Sequence, residues 1–327
     1  MKIFGLLLFL SSFVYADNIK YIVKGYDLKT HEQTSVPLDL PTVNETGTFP
    51  STTEGEPEPP PPGSPIPSSD FSIPTPWNTN KARVGPENRV QAPNRTFPYS
   101  AIARVTFCKN NNGTDCGYVC SSWRVSKGLI MLNGHCVYEK ATKQWHSNFR
   151  VDLGYNNGTY VQREYPIYVW VSQYYLNGTT GVDWGALRLR TDAPNYTGWF
   201  GYQNYSSGWN NQNYWVNSGY GTNWTDHPFS AEFQGMHFGC PIHGLYASDR
   251  QLFHSCDMGQ GSSGSPIFSW WNNGGWRTVG INYGEWGPRD ANRMQECHPP
   301  VYGTCGNVGT HNSVYGQWIT DRRNEGI

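Results

Sequence analysis

Residues 261–266 read Gly-Ser-Ser-Gly-Ser-Pro. Ser263 lies between glycines that permit a tight turn, in which backbone N–H groups point inward. Acyl transfer needs a hydroxyl nucleophile beside amides that can hold a developing oxyanion. The stretch therefore predicts Ser263 as a nucleophile, with an oxyanion hole formed by the N–H groups of Gly261 and Ser263. The alternative is an ordinary loop, because Gly/Ser-rich hexamers are common.

Two motifs upstream could supply the partners of such a serine. Residues 134–136 read Gly-His-Cys, and a Cys120–Cys136 disulfide would pin the residue after His135 to a preceding strand, fixing the imidazole as a general base requires. Asp183 heads an alternating stretch, so it could enter the interior and accept a hydrogen bond from the imidazole. The alternatives are a structural histidine and a strand-capping aspartate.

Composition and charge narrow the class of protein. The 327 residues include 24 Lys and Arg against 25 Asp and Glu, a balance that argues against nucleic acid or an anionic membrane as a partner. Gly, Pro, Tyr and Trp are abundant, which indicates short aromatic strands joined by turns. We predict an all-β body closed by one helix over Val314 to Arg323, capped by Ser313. The clearest predicted strands are Ile102 to Phe107, Tyr165 to Ser172, Ala186 to Leu189 and Arg277 to Tyr283.

The N-terminal quarter of the chain divides into a leader and a pro-segment. Residues 1–16 have the shape of a secretory signal peptide, and their apolar run is shorter than the roughly 20 residues that a membrane anchor needs. Residues 17–83 contain no cysteine and are rich in proline between Pro57 and Pro76, which predicts a disordered, Pro-rich segment. It is either a linker or a removable pro-segment cut by a processing protease near Arg83, which would leave residues 84–327 as the protease domain.

Cysteines and glycosylation sequons agree with a secreted protein. An even number of cysteines in such a chain predicts disulfides rather than zinc ligands. Proximity in sequence suggests the pairs Cys108–Cys116, Cys120–Cys136, Cys240–Cys256 and Cys297–Cys305. Eight Asn-x-Ser/Thr sequons predict a glycoprotein: Asn44, Asn94, Asn112, Asn157, Asn177, Asn195, Asn204 and Asn223.

The motifs occur in an ordered set that resembles a known family. Residues 84–89, 98–102, 134–138, 183–187 and 261–266 look like those of the glutamyl-endopeptidase-like branch of secreted, chymotrypsin-fold (S1) serine proteases. The order His, Asp, Ser matches the triad order of that fold. The resemblance implies two six-stranded antiparallel β-barrels with the site between them. It also implies His135 as general base, Asp183 as its orienter, Ser263 as nucleophile and Val84 as a mature N-terminus freed by proteolysis.

The chain departs from the pattern of that family at several positions. Ser262 stands where trypsin-like enzymes have an activating Asp, and Leu132-Asn133 replaces a small Thr-Ala pair before the histidine motif. Met258 and Asn282 replace the Thr and His that grip glutamate, so a preference for glutamate is not carried over. The candidate substrate-binding residues are Asp257, Met258, Asn282, Tyr283 and Gly284. Asp257 matches the acid that selects Lys or Arg in trypsins, but glutamyl-type enzymes also have an Asp there.

The resulting hypothesis is a secreted, monomeric serine endopeptidase made as a zymogen and acting on proteins or peptides, without metal, cofactor or membrane anchor. Two alternatives stay open. One is a catalytically inactive protease homologue that acts as a secreted binding protein. The other is a carbohydrate-binding β protein, suggested by the 15% of aromatic residues.

Overall fold

A computed structural model describes residues 20–39, 88–92, 95–190, 192, 195–222, 231–257, 259–271, 275–286 and 306–327. The predicted signal peptide, the Pro-rich stretch, Arg83 and Val84 lie outside these residues. Within them, the predicted all-β body with a C-terminal helix is confirmed. Runs of β-branched and aromatic residues form two large sheets, and all four predicted strands are found, with ends that differ from the prediction by at most three residues. The strand predicted from Tyr165 begins at Tyr168, and the strand predicted to end at Tyr283 continues to Trp286.

The first sheet bears the histidine and aspartate motifs. Its order is β10-β9-β4-β5-β6-β12-β11-β1-β2, and the pairings are antiparallel. Its strands are β1 (Lys20–Asp27), β2 (Gln33–Asp39), β4 (Ile102–Cys108), β5 (Cys116–Ser126), β6 (Leu129–Leu132), β9 (Ser147–Leu153), β10 (Gln162–Glu164), β11 (Tyr168–Ser172) and β12 (Gly185–Arg188).

The second sheet bears the serine motif, which lies just before β18. Its order is β16-β17-β20-β19-β18-β14-β15-β3, and the short β13 pairs with β19 off this path. Its strands are β3 (Arg89–Gln91), β13 (Gly201–Tyr202), β14 (Trp215–Gly219), β15 (Gly235–Cys240), β16 (Ile242–Tyr246), β17 (Gln251–His254), β18 (Pro266–Trp271), β19 (Gly275–Trp286) and β20 (Gly306–His311).

The helices of the described residues are short. A small hairpin, β7 (Tyr138–Glu139) with β8 (Gln144–Trp145), follows the histidine motif. The helices are α1 (Gln173–Leu176) and α2 (Gly316–Asn324), with 3₁₀ turns at Tyr99–Ala101, Gly134–Cys136, Ser207–Trp209 and Asn312–Val314. The prediction that Ser313 caps the last helix is wrong. That residue lies in the preceding 3₁₀ turn, where its hydroxyl bonds to the His311 imidazole at 2.7 Å.

The prediction of disorder between residues 17 and 83 is wrong for residues 20–39. They form the hairpin β1-β2, and β1 pairs with β11, so the hairpin extends the first sheet. Val23, Gly25 and Tyr26 of β1 are buried, but the surrounding segment is rich in proline and polar residues, so its composition does not indicate a strand. The first sheet has nine strands rather than the predicted six, and the hairpin accounts for two of the three additional strands. In the second sheet, β3 is added at the edge beside β15.

The core explains the aromatic composition. Trp123, Trp184, Trp215 and Trp318 are almost completely buried, and three apolar clusters fill the two sheets and the space between them. Aromatic side chains therefore serve mainly as core, as is usual for strands of this kind. No helix in the described ranges is long and apolar enough to cross a membrane.

Disulfides and sequons can be compared with their predictions. The pairs Cys108–Cys116, Cys120–Cys136 and Cys240–Cys256 are confirmed, and Cys297 and Cys305 lie outside the described residues. Among the sequons, Asn112, Asn157 and Asn177 are exposed. Asn195 is only 2% exposed, and its Oδ1 accepts a hydrogen bond from the Gly198 N–H at 3.0 Å. A glycan on Asn195 is therefore incompatible with this fold, because the side chain is enclosed.

Candidate active site

His135 and Asp183, far apart in sequence, are in direct contact. His135 lies in the 3₁₀ turn after β6, and Asp183 lies two residues before β12, which pairs with β6. The imidazole Nδ1 is 2.7 Å from Asp183 Oδ2, and the His135 backbone N–H donates to Oδ1 at 3.1 Å. The carboxylate therefore fixes both the ring and the backbone of the histidine, and it favours the tautomer that leaves Nε2 free to accept a proton.

Asp183 is itself held by two neighbours that sequence reasoning did not assign. The Asn133 side-chain amide donates to the Asp183 carbonyl at 2.8 Å, and the Asp183 N–H donates to Thr310 Oγ1 at 3.0 Å. Asn133 is one of the two departures from the family pattern before the histidine motif. Its role here is to tie the turn that carries His135 to the backbone of Asp183, which a small residue could not do.

The charge state of His135 is set by opposing effects. Burial lowers its pKa, but attraction to Asp183 and the hydrogen bond that the imidazole donates to that carboxylate outweigh burial and raise the pKa above its usual range. Glu139 raises it further, whereas Lys140 opposes it. The imidazole is still 37% exposed, so its free edge can reach a substrate. These are the properties of a base that takes up a proton during a reaction.

His146 supports the same turn from the interior. Its Nε2 is 3.1 Å from the His135 carbonyl and its Nδ1 is 3.0 Å from the Lys109 carbonyl, while its ring stacks on Phe107. Burial lowers the pKa of His146. Nothing in the sequence marked His146 among the nine histidines, because its partners are backbone carbonyls brought together only by folding.

The loop around Ser263 is shaped by its glycines. Gly261 and Gly264 have φ of 97° and 91°, in the region that favours glycine. A Cβ on Gly264 would lie 2.0 Å from the Ser121 carbonyl oxygen, and one on Gly261 would lie 2.5 Å from the Tyr220 carbonyl oxygen. The predicted need for glycines here is thus explained by both backbone angle and close approach.

The backbone N–H groups of this loop differ in whether they have a partner among the described residues. The N–H groups of Ser262 and Gly264 donate to Gly259 O and Asn282 O, each at 2.9 Å. Those of Gly261 and Ser263, by contrast, make no hydrogen bond within the part of the chain that the structure describes. Free N–H groups on either side of Ser263 are suited to an anionic oxygen.

Ser121 joins the serine loop to the first sheet. Its N–H donates to the Ser263 carbonyl and its hydroxyl to the Gly261 carbonyl, both at 2.8 Å. It follows Cys120, whose disulfide partner Cys136 lies 4.0 Å from the Ser263 carbonyl oxygen through its Sγ. The disulfide that was expected to fix His135 thus also lies against the backbone of Ser263, and brings the two motifs to one place.

The hydroxyl of Ser263 is half-buried and makes no hydrogen bond to His135 or to any other described residue. In structures without substrate, hydrogen bonds between a nucleophile and its base are often long or poorly aligned.

The sulfurs of Cys120 and Cys136 lie within 4.8 Å of an imidazole nitrogen of His135, a grouping of residue types that can bind a metal ion. Because both sulfurs are in a disulfide, they offer no thiolate to a metal.

Asp257 lies in a small cleft beside the serine loop. Its side chain is fully buried, its Oδ2 accepts a hydrogen bond from the Asn88 N–H at 3.0 Å, and it lies 3.3 Å from His237 Nδ1. Burial and the nearby Arg89 lower the pKa of His237 to about 3, so that imidazole is neutral. The carboxylate is therefore an internal group with internal partners. Ser262 lines the same cleft, where trypsin-like enzymes place their activating acid.

Three of the other candidate substrate-binding residues, Asn282, Tyr283 and Gly284, lie next to one another on β19. Asn282 is fully buried, and its amide nitrogen donates to the Ser262 carbonyl at 3.3 Å. Tyr283, partly buried, bonds through its hydroxyl to Gln251, and Gly284 follows it on β19. Met258 lies outside the described residues. Asn282 thus supports the serine loop from behind.

Comparison with known proteins gives the family. Residues 89–302 match the trypsin family, which is more than half of the chain and includes all three motifs. The chain belongs to the trypsin family. The resemblance found from the ordered motifs is thereby confirmed.

Two curated relatives match this trypsin-family chain over part of its length. A glutamyl endopeptidase of Bacillus licheniformis is 27% identical over 198 residues, which are 58% of this chain and 55% of the relative. An extracellular metalloprotease of Bacillus subtilis is 28% identical over 127 residues, which are 38% of this chain and 40% of the relative. The chain thus spans about half the length, or less, of the curated relatives it matches.

Solved structures agree on the fold. A Glu endopeptidase in complex with MPD is 21% identical, with a TM-score of 0.56, over 73% of this chain and 98% of the other. The protease Anisep from Arthrobacter nicotinovorans is 16% identical, with a TM-score of 0.52, over 71% of this chain and 98% of the other. At these identities the likeness supports the fold of the trypsin-family chain.

Proposed function

We propose that this chain is a secreted serine endopeptidase that hydrolyses proteins or peptides through an acyl-enzyme on Ser263. The observation that carries the proposal is the His135–Asp183 pair beside a glycine-shaped loop with two unpaired N–H groups. The endopeptidase named among its relatives supports peptide bonds as the substrate class.

Each residue has a role that its contacts support. His135 Nε2 removes the Ser263 hydroxyl proton as the oxygen attacks the peptide carbonyl, and the N–H groups of Gly261 and Ser263 hold the resulting oxyanion. Asp183 stabilises the imidazolium that forms. The imidazolium then protonates the leaving amine. Water, deprotonated by His135, hydrolyses the acyl-enzyme and restores the serine.

Secretion and activation form part of the same proposal. The signal-like residues 1–16 and the disulfides favour secretion, and the basic residue Arg83 is a suitable site for a processing protease. Cleavage there would make Val84 the N-terminus, four residues before the Asn88 N–H that caps buried Asp257. We expect the activated enzyme to work as a monomer and without a cofactor.

The environment of Asp257 bears on specificity. A Lys or Arg side chain of a substrate would have to replace the Asn88 N–H to reach its carboxylate. We therefore expect no preference for cleavage after Lys or Arg, and Met258 and Asn282 give no reason to expect one for Glu. A peptide library scanned at the residue before the cut tests this, and strong selection of Lys or Arg would contradict it.

The alternative is an inactive homologue that binds other molecules. It is favoured by the absence, among the described residues, of a hydrogen bond between Ser263 and His135, and by Ser262 in place of the activating acid. Steady turnover of peptides by purified, processed protein would exclude it.

Labelling with a fluorophosphonate probe tests the proposal directly. We expect the processed wild type to form a covalent adduct, Ser263→Ala to form none, and Ser262→Ala to remain labelled. Ser262 is a matched control because it is the adjacent serine, with its hydroxyl buried against the Gly259 N–H at 3.2 Å. An unlabelled wild type, or a labelled Ser263→Ala variant, would overturn the assignment.

A further inference from the structure

The hairpin β1-β2 belongs to the predicted pro-segment, yet its contacts are those of a permanent strand pair. Five residues of β1, Val23 to Asp27, pair in antiparallel register with Ser172 to Tyr168 of β11. The Leu28 N–H extends this ladder to the Ile167 carbonyl at 3.2 Å. A ladder of this kind satisfies the backbone groups of a strand edge that would otherwise be exposed.

Side chains of the hairpin are buried in the core of the first sheet. Val23 is 1% exposed and belongs to the largest apolar cluster. Tyr26 is 8% exposed, and its ring stacks on Trp145 with centroids 5.3 Å apart and planes within 9°. Burial of such side chains stabilises an interface by about 1.5–3 kcal/mol each, as in a folded core.

The backbone of β1 and Tyr168 are matched in shape. A Cβ on Gly25 would lie 2.3 Å from the Tyr168 ring, so that ring rests directly on the strand. The Tyr168 hydroxyl bonds to Thr34 of β2. One side chain of the body therefore contacts both strands of the hairpin.

The hairpin supports the elements that carry the site without touching the site. Trp145, under Tyr26, precedes His146, which contacts the His135 carbonyl. β11, under β1, pairs with β12, which begins two residues after Asp183. Within the described residues, the hairpin makes no hydrogen bond or ring contact with His135, Asp183 or Ser263. The hairpin is therefore placed to stabilise the elements that carry the site, and it is not placed to block the cleft.

We propose that this hairpin stays bound after the chain is cut, as a non-covalent subunit of the mature enzyme that stabilises the sheet bearing His135 and Asp183. The proposal rests on the proposed function only in assuming that a cut occurs between residues 39 and 88. After this cut, the hairpin would remain bound to the body as a short, separate polypeptide. Its removal would expose the edge of β11 and the face of Trp145.

The test of this proposal uses an inactive variant, so its outcome does not depend on whether the protein is a protease. A recognition sequence for a site-specific protease is inserted between Pro57 and Pro76 of the full-length chain carrying Ser263→Ala, and the purified protein is cut. Native mass spectrometry and gel filtration then measure whether the N-terminal fragment stays with the body. We expect co-elution in native buffer and separation only in denaturant. A fragment that separates from the body in native buffer would overturn the proposal.

Substitutions within the hairpin leave the body unaltered. Tyr26→Ala removes the stack on Trp145, and we expect about 100-fold weaker retention of the fragment. Gly25→Ala should weaken retention as well, because its Cβ would collide with the Tyr168 ring. Lys29→Ala, at an exposed position in the turn, is the matched control and should retain the fragment like the parent. Equal retention in all three variants would contradict the assigned interface.

Adding the hairpin back gives a second readout. An excess of a synthetic peptide of residues 17–42 should raise the thermal unfolding temperature of the cut protein, whereas the Tyr26→Ala peptide should not at the same concentration. The result does not depend on whether the protein is an enzyme. Failure of the wild-type peptide to bind or to stabilise the body would count against the proposal.

Discussion

The two halves of the candidate site are held by different kinds of interaction. His135 and Asp183 on the first sheet are fixed through side chains, with His146 and Asn133 bonding to their backbones. The Ser263 loop on the second sheet is fixed through its backbone, by positive-φ glycines and carbonyls bonded to Ser121. Substitutions of the side chains that hold the first half should therefore mainly change chemistry, whereas substitutions of the glycines that shape the second half should mainly change folding.

The largest effect is expected from Asp183→Asn. The amide would favour the wrong imidazole tautomer, so kcat should fall by about 10⁴-fold with little change in the unfolding temperature. Asp192→Asn is the control, because that carboxylate is 66% exposed and pairs only with Arg190 among the described residues. Steady-state kinetics and thermal unfolding measure the two properties. A fall in kcat that merely follows lost stability would remove the distinction between the two halves.

Gly264→Ala should act on the other half through folding. Its Cβ would meet the Ser121 carbonyl oxygen at 2.0 Å in a left-handed conformation, so we expect a loss of about 3 kcal/mol or more in the free energy of unfolding. Gly158→Ala is matched in φ, at 83°, but meets no atom within 4 Å, so it should cost only about 1 kcal/mol. Urea denaturation in a Ser263→Ala background compares them, and equal losses would contradict the close approach.

His146→Leu tests whether a buried side chain of the first half positions His135. It removes the contact with the His135 carbonyl, and we expect kcat to fall about 10-fold, which is the size of one hydrogen bond. His146→Gln can still donate to one carbonyl and should restore part of the activity. If kcat is the same for the leucine variant and the wild type, His146 has no part in positioning His135.

The smallest effects concern the pH dependence of kcat/KM. Activity needs neutral His135, so it falls as pH drops through the pKa of that imidazole. Because Glu139 raises that pKa and Lys140 lowers it, Glu139→Gln should move the acidic limb to lower pH and Lys140→Gln to higher pH. Shifts in the same direction would show that His135 is not the group that titrates.

The predicted disulfide between Cys120 and Cys136 shows why part of the site was predictable. Short motifs whose chemistry is local, such as a glycine-flanked serine or a cysteine beside a histidine, mark their own roles. His146 and Ser121 carry no such mark, because their partners are backbone atoms of distant strands. The same holds for Asn133, whose meaning depends on the neighbouring backbone of Asp183.

The pairing of the hairpin at residues 20–39 and the burial of Asp257 could not be predicted from the sequence, because both depend on the tertiary structure. Proline and polar residues around the hairpin conceal a strand pair that becomes stable only when the edge of β11 and Trp145 are present to receive it. Asp257 could have served as a substrate-binding acid by its sequence position, but the second sheet buries it against Asn88. The amino-acid sequence by itself determined the β class and the Cys120–Cys136 disulfide, and it marked His135, Asp183 and Ser263 as the candidate site residues, because these depend on local pattern and residue chemistry. Tertiary structure decided which groups are buried, paired or left free, because burial and pairing depend on residues that are distant along the chain.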